Sequence, residues 1–522
     1  MIGFHIDMNI AQFTRGYLEK WLHELARLGY DAVVWEVENN VKWRTCPECV
    51  SPDAFSKEEF KEILAVCRKL GLEPIPLFQT IGHSEYVLKH GRYKHLAELP
   101  DRIDQYCPQN ADLVPFLSKW IDEYLEVFAP VKYFHLGADE AWSLGSCPQC
   151  KAYAKEHSLS GLYVDHVNAL AAPLSKRGIA PVIWADMVLH HHEALPRLSR
   201  DIILFDWMYD IRCGMGKAWV WGRGYMRKEE IPADVLAEFG KYLYPHGDEP
   251  GREPETFYTA DYLAAKGFKV VKCPGSSSYG DNVFSPRNWY HIINTYDSCR
   301  KGLEPGLAGA VLTSWTVHLF PWELQLAAID LPPYLAEHPR AALSTYQDAF
   351  MNARFGVTDE RFWRACGLLS KNCLFTHTAS LGFNKSALPV PVDHVKKTVE
   401  KIKKEGHISV EAENCRARLA EYREALALFE AFAGRARSGD DLLDIWTLAA
   451  RNLVNRAQAA LALLDAAAGE RHPAEEILFQ MRQLRSEMNE LYADIYKPAR
   501  RREMLDWVYA SIESALEAIA GK

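Results

Sequence analysis

The chain is 522 residues long, 48% hydrophobic and 25% charged, which is ordinary for a soluble globular protein and enough for one large domain plus a smaller one. Its net charge of −9 gives no general attraction to nucleic acid or to anionic membranes. No apolar run approaches the roughly 18 residues a membrane helix needs, and Met1-Ile2-Gly3-Phe4-His5-Ile6-Asp7 reads as a first strand rather than a leader, so the cytoplasm is the expected location.

In chain order, short apolar runs alternate with longer amphipathic segments. The runs are Ile2–Asp7, Ala32–Val37, Leu72–Phe78, Val131–Leu136, Ile179–Trp184, Ile202–Trp207, Phe268–Cys273 and Ala308–Ser314. Helical patterns fill the intervals at Arg15–Leu28, Lys57–Leu70, Leu113–Phe128, Leu162–Arg177, Pro254–Lys266 and Pro286–Lys301. Gly29, Gly71, Gly178 and Gly267 follow four of these helices, where a left-handed cap is expected. The alternation predicts a parallel sheet, and eight runs in the first part of the chain fit a (β/α)8 barrel with insertions. An open doubly wound sheet has less support, because no Gly-x-Gly-x-x-Gly follows the first run.

A barrel of this kind builds its site from the C-terminal ends of its strands. Those ends are Asp7-Met8-Asn9, Glu36-Val37-Glu38-Asn39, Gln79-Thr80-Ile81-Gly82-His83-Ser84, Asp139-Glu140, Trp184-Ala185-Asp186, Asp206-Trp207, Tyr279-Gly280-Asp281 and Trp315. Two adjacent carboxylates after the buried run ending His135-Leu136 cost too much to bury without partners, so they mark a site or a helix cap. Aromatic walls with carboxylates between them suit a sugar, whose C–H faces stack on rings while its hydroxyls seek acceptors.

Over roughly residues 1–335 the chain resembles glycoside hydrolase family 20, the β-N-acetylhexosaminidases. The resemblance is carried by His135-Leu136-Gly137-Ala138-Asp139-Glu140 and Gly82-His83-Ser84, with Trp184-Ala185-Asp186-Met187 and Tyr279-Gly280-Asp281 in support. It implies a retaining, substrate-assisted exo-hydrolysis of terminal β-linked GalNAc or GlcNAc. Glu140 is then the general acid and base, and Asp139 orients the sugar's acetamide and stabilises an oxazolinium-like charge. Tyr279 donates to the acetamide oxygen, and Trp184, Trp207 and Trp315 shape its pocket. His83 is expected beside Glu140 with Glu38 as an acidic partner; a capping or core histidine is the alternative. Asp281 resembles the family acid that binds sugar hydroxyls, and Asp186 is either a ligand or an anchor. Trp219 and Trp221 sit in an aromatic insertion from Met208 to about residue 251, as a lid or as its core. Neighbouring residues on one strand diverge, so Asp139 and Glu140 are poorly placed to flank one bond. A sugar that brings its own nucleophile removes that difficulty.

The chain also departs from the family pattern. The family's arginine at the end of the first strand is replaced by Asn9 or Asp7, and its Trp-x-Glu at the eighth strand appears as Trp315-Thr316-Val317, with Glu323 the next acid. Two readings stay open beside the hydrolase: a conventional glycosidase pairing Glu140 with Glu38 or Glu323, and a catalytically silent, zinc-braced sugar-binding protein.

Twelve cysteines include two knuckles, Cys46-Pro47-Glu48-Cys49 and Cys147-Pro148-Gln149-Cys150. Each follows a strand, the second and the fourth, so the two are expected to meet over the third in a four-thiolate structural zinc site. Local disulfides or unligated thiols are the alternatives. Cys67, Cys107, Cys213 and Cys273 show no metal-like spacing. Residues 336–522 form a second expected domain. Glu411–Ala433, Leu442–Ala467 and Ala474–Tyr496 read as packed helices that stabilise the barrel or mediate homodimerisation, joined by loops at Leu381-Gly382-Phe383-Asn384 and Leu388–Val392.

Overall fold

In the computed structural model every residue is described except 213, 215, 248, 250–251, 317–319, 383–389, 471–472 and 521–522. Val317, Cys213, the end of the aromatic insertion and parts of the loops expected at 381–384 and 388–392 therefore lie outside the described residues.

Strand residues alternate between two faces, and that period of two sorts the apolar runs into two cores. The strands in chain order are β1 (Ile2–Asp7), β2 (Ala32–Glu36), β3 (Glu73–Leu77), β4 (Tyr133–His135), β5 (Ala180–Trp184) and β6 (Ile203–Asp206). They continue as β7 (Lys217–Val220), β8 (Gly224–Arg227), β9 (Lys269–Lys272), β10 (Gly275–Ser277) and β11 (Ala310–Ser314). The parallel order β1-β2-β3-β4-β5-β6-β9-β11 closes on itself through β1 and β11, with Ile2 opposite Ala310 and Ile6 opposite Ser314. The barrel is thus a closed eight-strand one. β10 extends the seventh position past Pro274, and β7 and β8 form an antiparallel hairpin inside the insertion.

Val34, Leu77, Val182, Trp184, Phe205, Val271 and Val311 fill the barrel's interior. Their strand neighbours Val33, Trp35, Ile183, Leu204, Val270 and Leu312 pack outward under the helices. Each such burial stabilises by about 1.5–3 kcal/mol. The helices start and stop on local chemistry. Ser56 and Glu59 form a reciprocal capping box at Lys57–Lys69. Gly29, at φ +101°, closes Arg15–Leu28 by donating to the Leu25 and Ala26 carbonyl oxygens.

After the barrel come the long helices Ile408–Ala433, Asp440–Ala468 and Ala474–Ile495, then Ser511–Ala520. Buried Ala459, Ala460 and Ala462 let their axes approach closely, and Trp446 stacks on Phe429 at 5.6 Å. This region clasps the barrel. The Val283 N–H donates to the Thr376 carbonyl oxygen at 2.9 Å, and Phe13 bridges to Tyr496. Arg456 is buried between the rings of Phe284 and Tyr509, each 5.2 Å from its guanidinium, and donates to the Val508 carbonyl oxygen at 2.7 Å. Burial lowers its pKa to about 10. Among the described residues no helix is long and apolar enough to cross a membrane.

Candidate active site

The inward column of each strand ends in a polar or aromatic residue at the same mouth. Continuing the alternation gives Asp7 on β1, Glu36 on β2, Gln79 after β3, Asp139 after β4, Trp207 after β6 and Trp315 after β11. All six line one cavity of about 450 Å³, together with His83, Glu140, Tyr209, Tyr279 and Arg287.

His83 joins the two adjacent acids. Its Nε2 lies 3.2 Å from Asp139 Oδ2 and 3.3 Å from Glu140 Oε2. Asp139 is 4% exposed, whereas the Glu140 side chain is 42% exposed at the cavity's open side. The glycines of both motifs have a steric reason. A Cβ on Gly82 would overlap the Asp139 carbonyl oxygen, and one on Gly137, at φ +63°, would overlap the Gln79 amide. Four of the six described non-glycine residues at positive φ are Glu38, His83, Ala138 and Glu140, at the ends of β2, β3 and β4. Such conformations cost about 1–3 kcal/mol each and persist where the surroundings hold them, as at a functional mouth.

The other buried acids are held by donors. The Glu140 N–H donates to Asp186 Oδ2 at 2.9 Å, so Asp186 anchors the backbone of Glu140 from below. Burial, then the charge of Asp139, hold the Asp186 carboxyl well above the ordinary carboxylate range. Glu36 accepts from His5 Nε2 at 3.0 Å and from Gln79 Nε2 at 2.9 Å. Asp7 accepts from the backbone N–H groups of Asn9 at 2.8 Å and Thr316 at 2.9 Å. Asp139 Oδ1 is buried with no hydrogen-bond partner among the described residues.

Aromatic rings form the walls. Trp207 stacks on Tyr209 at 5.5 Å, and Trp221 meets Trp207 edge-on at 5.3 Å. Trp315 Nε1 donates to the Tyr209 hydroxyl at 2.6 Å. Tyr279 is 60% exposed at the rim. Its loop is backed from the helical region, where His377 donates to the Tyr279 carbonyl oxygen at 2.9 Å and Asn372 to that of Gly280 at 3.0 Å.

Several expected site residues sit elsewhere. Trp184 is fully buried in the barrel floor, against His135 at 4.4 Å and Trp315 at 5.6 Å, because its parity points it inward one step below the mouth. Asp281 is fully buried behind the wall, accepting from Arg287 Nε at 3.0 Å and His291 Nε2 at 2.8 Å, so Arg287 rather than Asp281 faces the cavity. Glu323 does not reach the mouth: it accepts from the Tyr17 hydroxyl at 2.8 Å and pairs with Lys20 at 2.7 Å, lining a different surface pocket. Glu38 is buried near Tyr86, Tyr106 and Tyr124, whose pKa values its charge helps to raise, and it does not line the cavity. Asn9 does line it. Trp219 packs on Tyr225 within the insertion.

Sequence reasoning missed Tyr209, Arg287 and Tyr290 as lining residues. Tyr209 carried a signal, since it stands two residues after Trp207 and so continues the same inward column. Arg287 carried none, because its place depends on the fold of the loop after β10.

The two cysteine knuckles do not share a site. Cys46 and Cys49 are joined to each other by a disulfide. Cys147 and Cys150 gather instead with Cys107 and Glu98, a set of side chains able to hold a metal ion. The long connection after β3 stands between the knuckles. Its Arg92 and Tyr93 hold Glu48 of the first at 2.8 and 2.6 Å, and its Cys107 faces the second.

Residues 31–213 match the family described as glycosyl hydrolase family 20, catalytic domain. Hexosaminidase D of Homo sapiens is 27% identical over 239 residues, 41% of this chain and 49% of that protein. Hexosaminidase D of Bos taurus is 29% identical over 189 residues, 35% of this chain and 55% of that one. The chain therefore spans about half the length of these curated relatives. Among solved structures, a chitobiase of Flavobacterium johnsoniae covers 97% of this chain and 77% of its own at 15% identity, with a TM-score of 0.49.

Proposed function

We propose that this chain, related to the glycoside hydrolases of family 20 by its motifs and its family match, releases terminal β-linked N-acetylhexosamine, GalNAc or GlcNAc, from glycans with the substrate's own acetamide as nucleophile. Glu140, open to the cavity, gives its proton to the leaving oxygen as the acetamide oxygen attacks the anomeric carbon and the glycosidic bond breaks. A water then opens the oxazolinium ring while Glu140 takes back a proton, and the anomeric configuration is retained. Asp139 receives the acetamide N–H and balances the positive charge of the ring. Tyr279 donates to the acetamide oxygen from the rim. His83 holds the two acids at fixed separation, and Asp186 fixes the backbone of Glu140. Trp207, Tyr209 and Trp315 form the wall on which the sugar and its acetamide methyl pack. Arg287 takes the part of the cation missing from the first strand and meets the outer hydroxyls. Acid, stabiliser and nucleophile all come from the chain and its substrate, so the reaction draws on no cofactor.

One observation carries this reading. The two adjacent carboxylates meet the same His83 nitrogen, while among the described residues Asp139 keeps a buried oxygen without a donor, where an acetamide N–H would fit. A conventional retaining pair would stand roughly 5 Å apart across the bond, with one acid as nucleophile. Hydrolysis of p-nitrophenyl β-glycosides tests the proposal. Turnover of the GlcNAc or GalNAc glycoside, with inhibition by the matching thiazoline, is the expected result. Preference for the plain glucoside or galactoside would overturn the mechanism, and no hydrolysis of any would overturn the activity.

A further inference from the structure

The set Glu98, Cys107, Cys147 and Cys150 has a geometry of its own. One ligand atom from each lies within 4.8 Å of all the others. Cys107 Sγ stands 3.5 Å from both Cys147 Sγ and Cys150 Sγ. A disulfide needs about 2.05 Å. A tetrahedral ion with bonds of about 2.3 Å to sulfur sets its thiolates nearly 4 Å apart, close to the spacing seen. Cys147 caps the helix Pro148–His157, and its Sγ accepts from the Cys150 N–H at 3.3 Å, a turn that aims both sulfurs at one point. Glu98 and Cys107 come from the two sides of a small antiparallel ribbon, paired at Ala97 and Tyr106. Glu98 is 2% exposed. Its contacts are the Cys147 N–H at 2.9 Å and Cys150 Sγ at 3.2 Å, and no lysine, arginine or histidine among the described residues pairs with it. A buried carboxylate beside three thiols, with no cation from the chain, is costly unless an ion neutralises it or protons do.

We infer that Glu98, Cys107, Cys147 and Cys150 bind one zinc ion as a closed, tetrahedral structural site, and that Cys46 and Cys49 take no part in it. Four protein ligands leave no position for water or substrate, so the ion braces rather than reacts. What it braces is specific. The ribbon that carries Cys107 also donates from the Tyr106 N–H to the Ile81 carbonyl oxygen at 2.9 Å, next to Gly82-His83. Gln105 accepts from the Ser143 N–H at 2.7 Å, just past Glu140. The ion therefore ties the connection after β3 to that after β4, the two that present His83 and the acid pair. This inference is independent of the proposed hydrolysis, and its readouts do not use activity.

The full chain, kept reduced, stripped with a chelator and titrated with zinc, is expected to retain about one zinc per chain by elemental analysis. Less than about 0.3 would overturn the site. Cobalt in place of zinc is expected to give the thiolate charge-transfer and intense visible bands of a tetrahedral sulfur-rich site. Weak octahedral-type bands would overturn the geometry even if every variant misfolded. Cys107→Ser is expected to lose the ion and Cys46→Ser to keep it. Retention by Cys107→Ser with loss from Cys46→Ser would overturn the ligand set in favour of the two knuckles. Glu98→Gln is expected to weaken zinc binding at least about tenfold, and unchanged affinity would remove Glu98 from the site.

Discussion

The barrel mouth and the helical region are built on opposite terms. At the mouth, acids are buried or half-buried close together, residues sit at positive φ, and Asp139 keeps an oxygen without a donor. In the helical region alanines and aromatics interlock, and a buried cation such as Arg456 is covered by rings and a carbonyl oxygen. The first arrangement costs stability; the second supplies it. The same chain separates the two tasks by region.

That separation gives the largest expected effect at the mouth. Glu140→Gln is expected to lower turnover of a substrate with a poor leaving group by about 10³-fold, and Asp139→Asn by at least about 10²-fold, with melting temperatures unchanged or raised. Steady-state kinetics beside thermal denaturation checks this, and near-wild-type turnover in either variant breaks its assigned role. In the helical region the pattern inverts. Trp446→Ala, which empties a stacked and buried position, is expected to cost about 3–5 kcal/mol in denaturant unfolding while the folded fraction keeps its specific activity.

The next effect concerns the wall between barrel and helices. His166 is buried and donates to the Thr80 carbonyl oxygen at 2.9 Å, and burial lowers its pKa from 6.5 to about 4. A histidine depressed in this way contributes stability that is present above pH 6.5 and lost as pH falls toward 4, because the unfolded chain takes the proton first. About 3 kcal/mol is expected to go over that window. His166→Gln, compared with the parent across the same pH range, is expected to flatten the loss; parallel curves would remove His166 as its source. Asp186 works the other way. Its pKa is raised above 3.8, so its contribution is full below that pH and declines as pH rises through its folded value. Asp186→Asn keeps an acceptor for the Glu140 N–H and is expected to abolish that decline, with a smaller effect on activity than Glu140→Gln or Asp139→Asn. An unchanged pH curve would show that Asp186 ionises as freely folded as unfolded.

Much of this mouth was legible because a strand's period of two is legible. The eight apolar runs match the eight barrel positions, and Asp7, Asp139, Trp207 and Trp315 follow from their ends. The same period, applied more strictly, would have placed Tyr209 in the wall and set Trp184 in the floor. What escaped was decided by loops. Glu323 and Asp281 lie near strand ends in sequence, but Tyr17, Lys20, Arg287 and His291, distant or on a later helix, determine where they point. The knuckles failed for a related reason. Spacing shows that two thiols can meet one ion, whereas which other side chains meet it depends on the connection that runs between them. Cys107 stands alone in sequence and is recruited only by the ribbon it sits on.

The contacts of Asn372 and His377 with the Tyr279–Gly280 loop bear on how this protein can be divided. A cut near residue 335 follows the change in sequence style and leaves both acids on the barrel. It also removes the two side chains that grip the rim loop from outside. A trimmed barrel would keep Asp139 and Glu140 and lose the contacts that set the Tyr279 loop, so on the proposed reading the seam visible in composition would cut through the site.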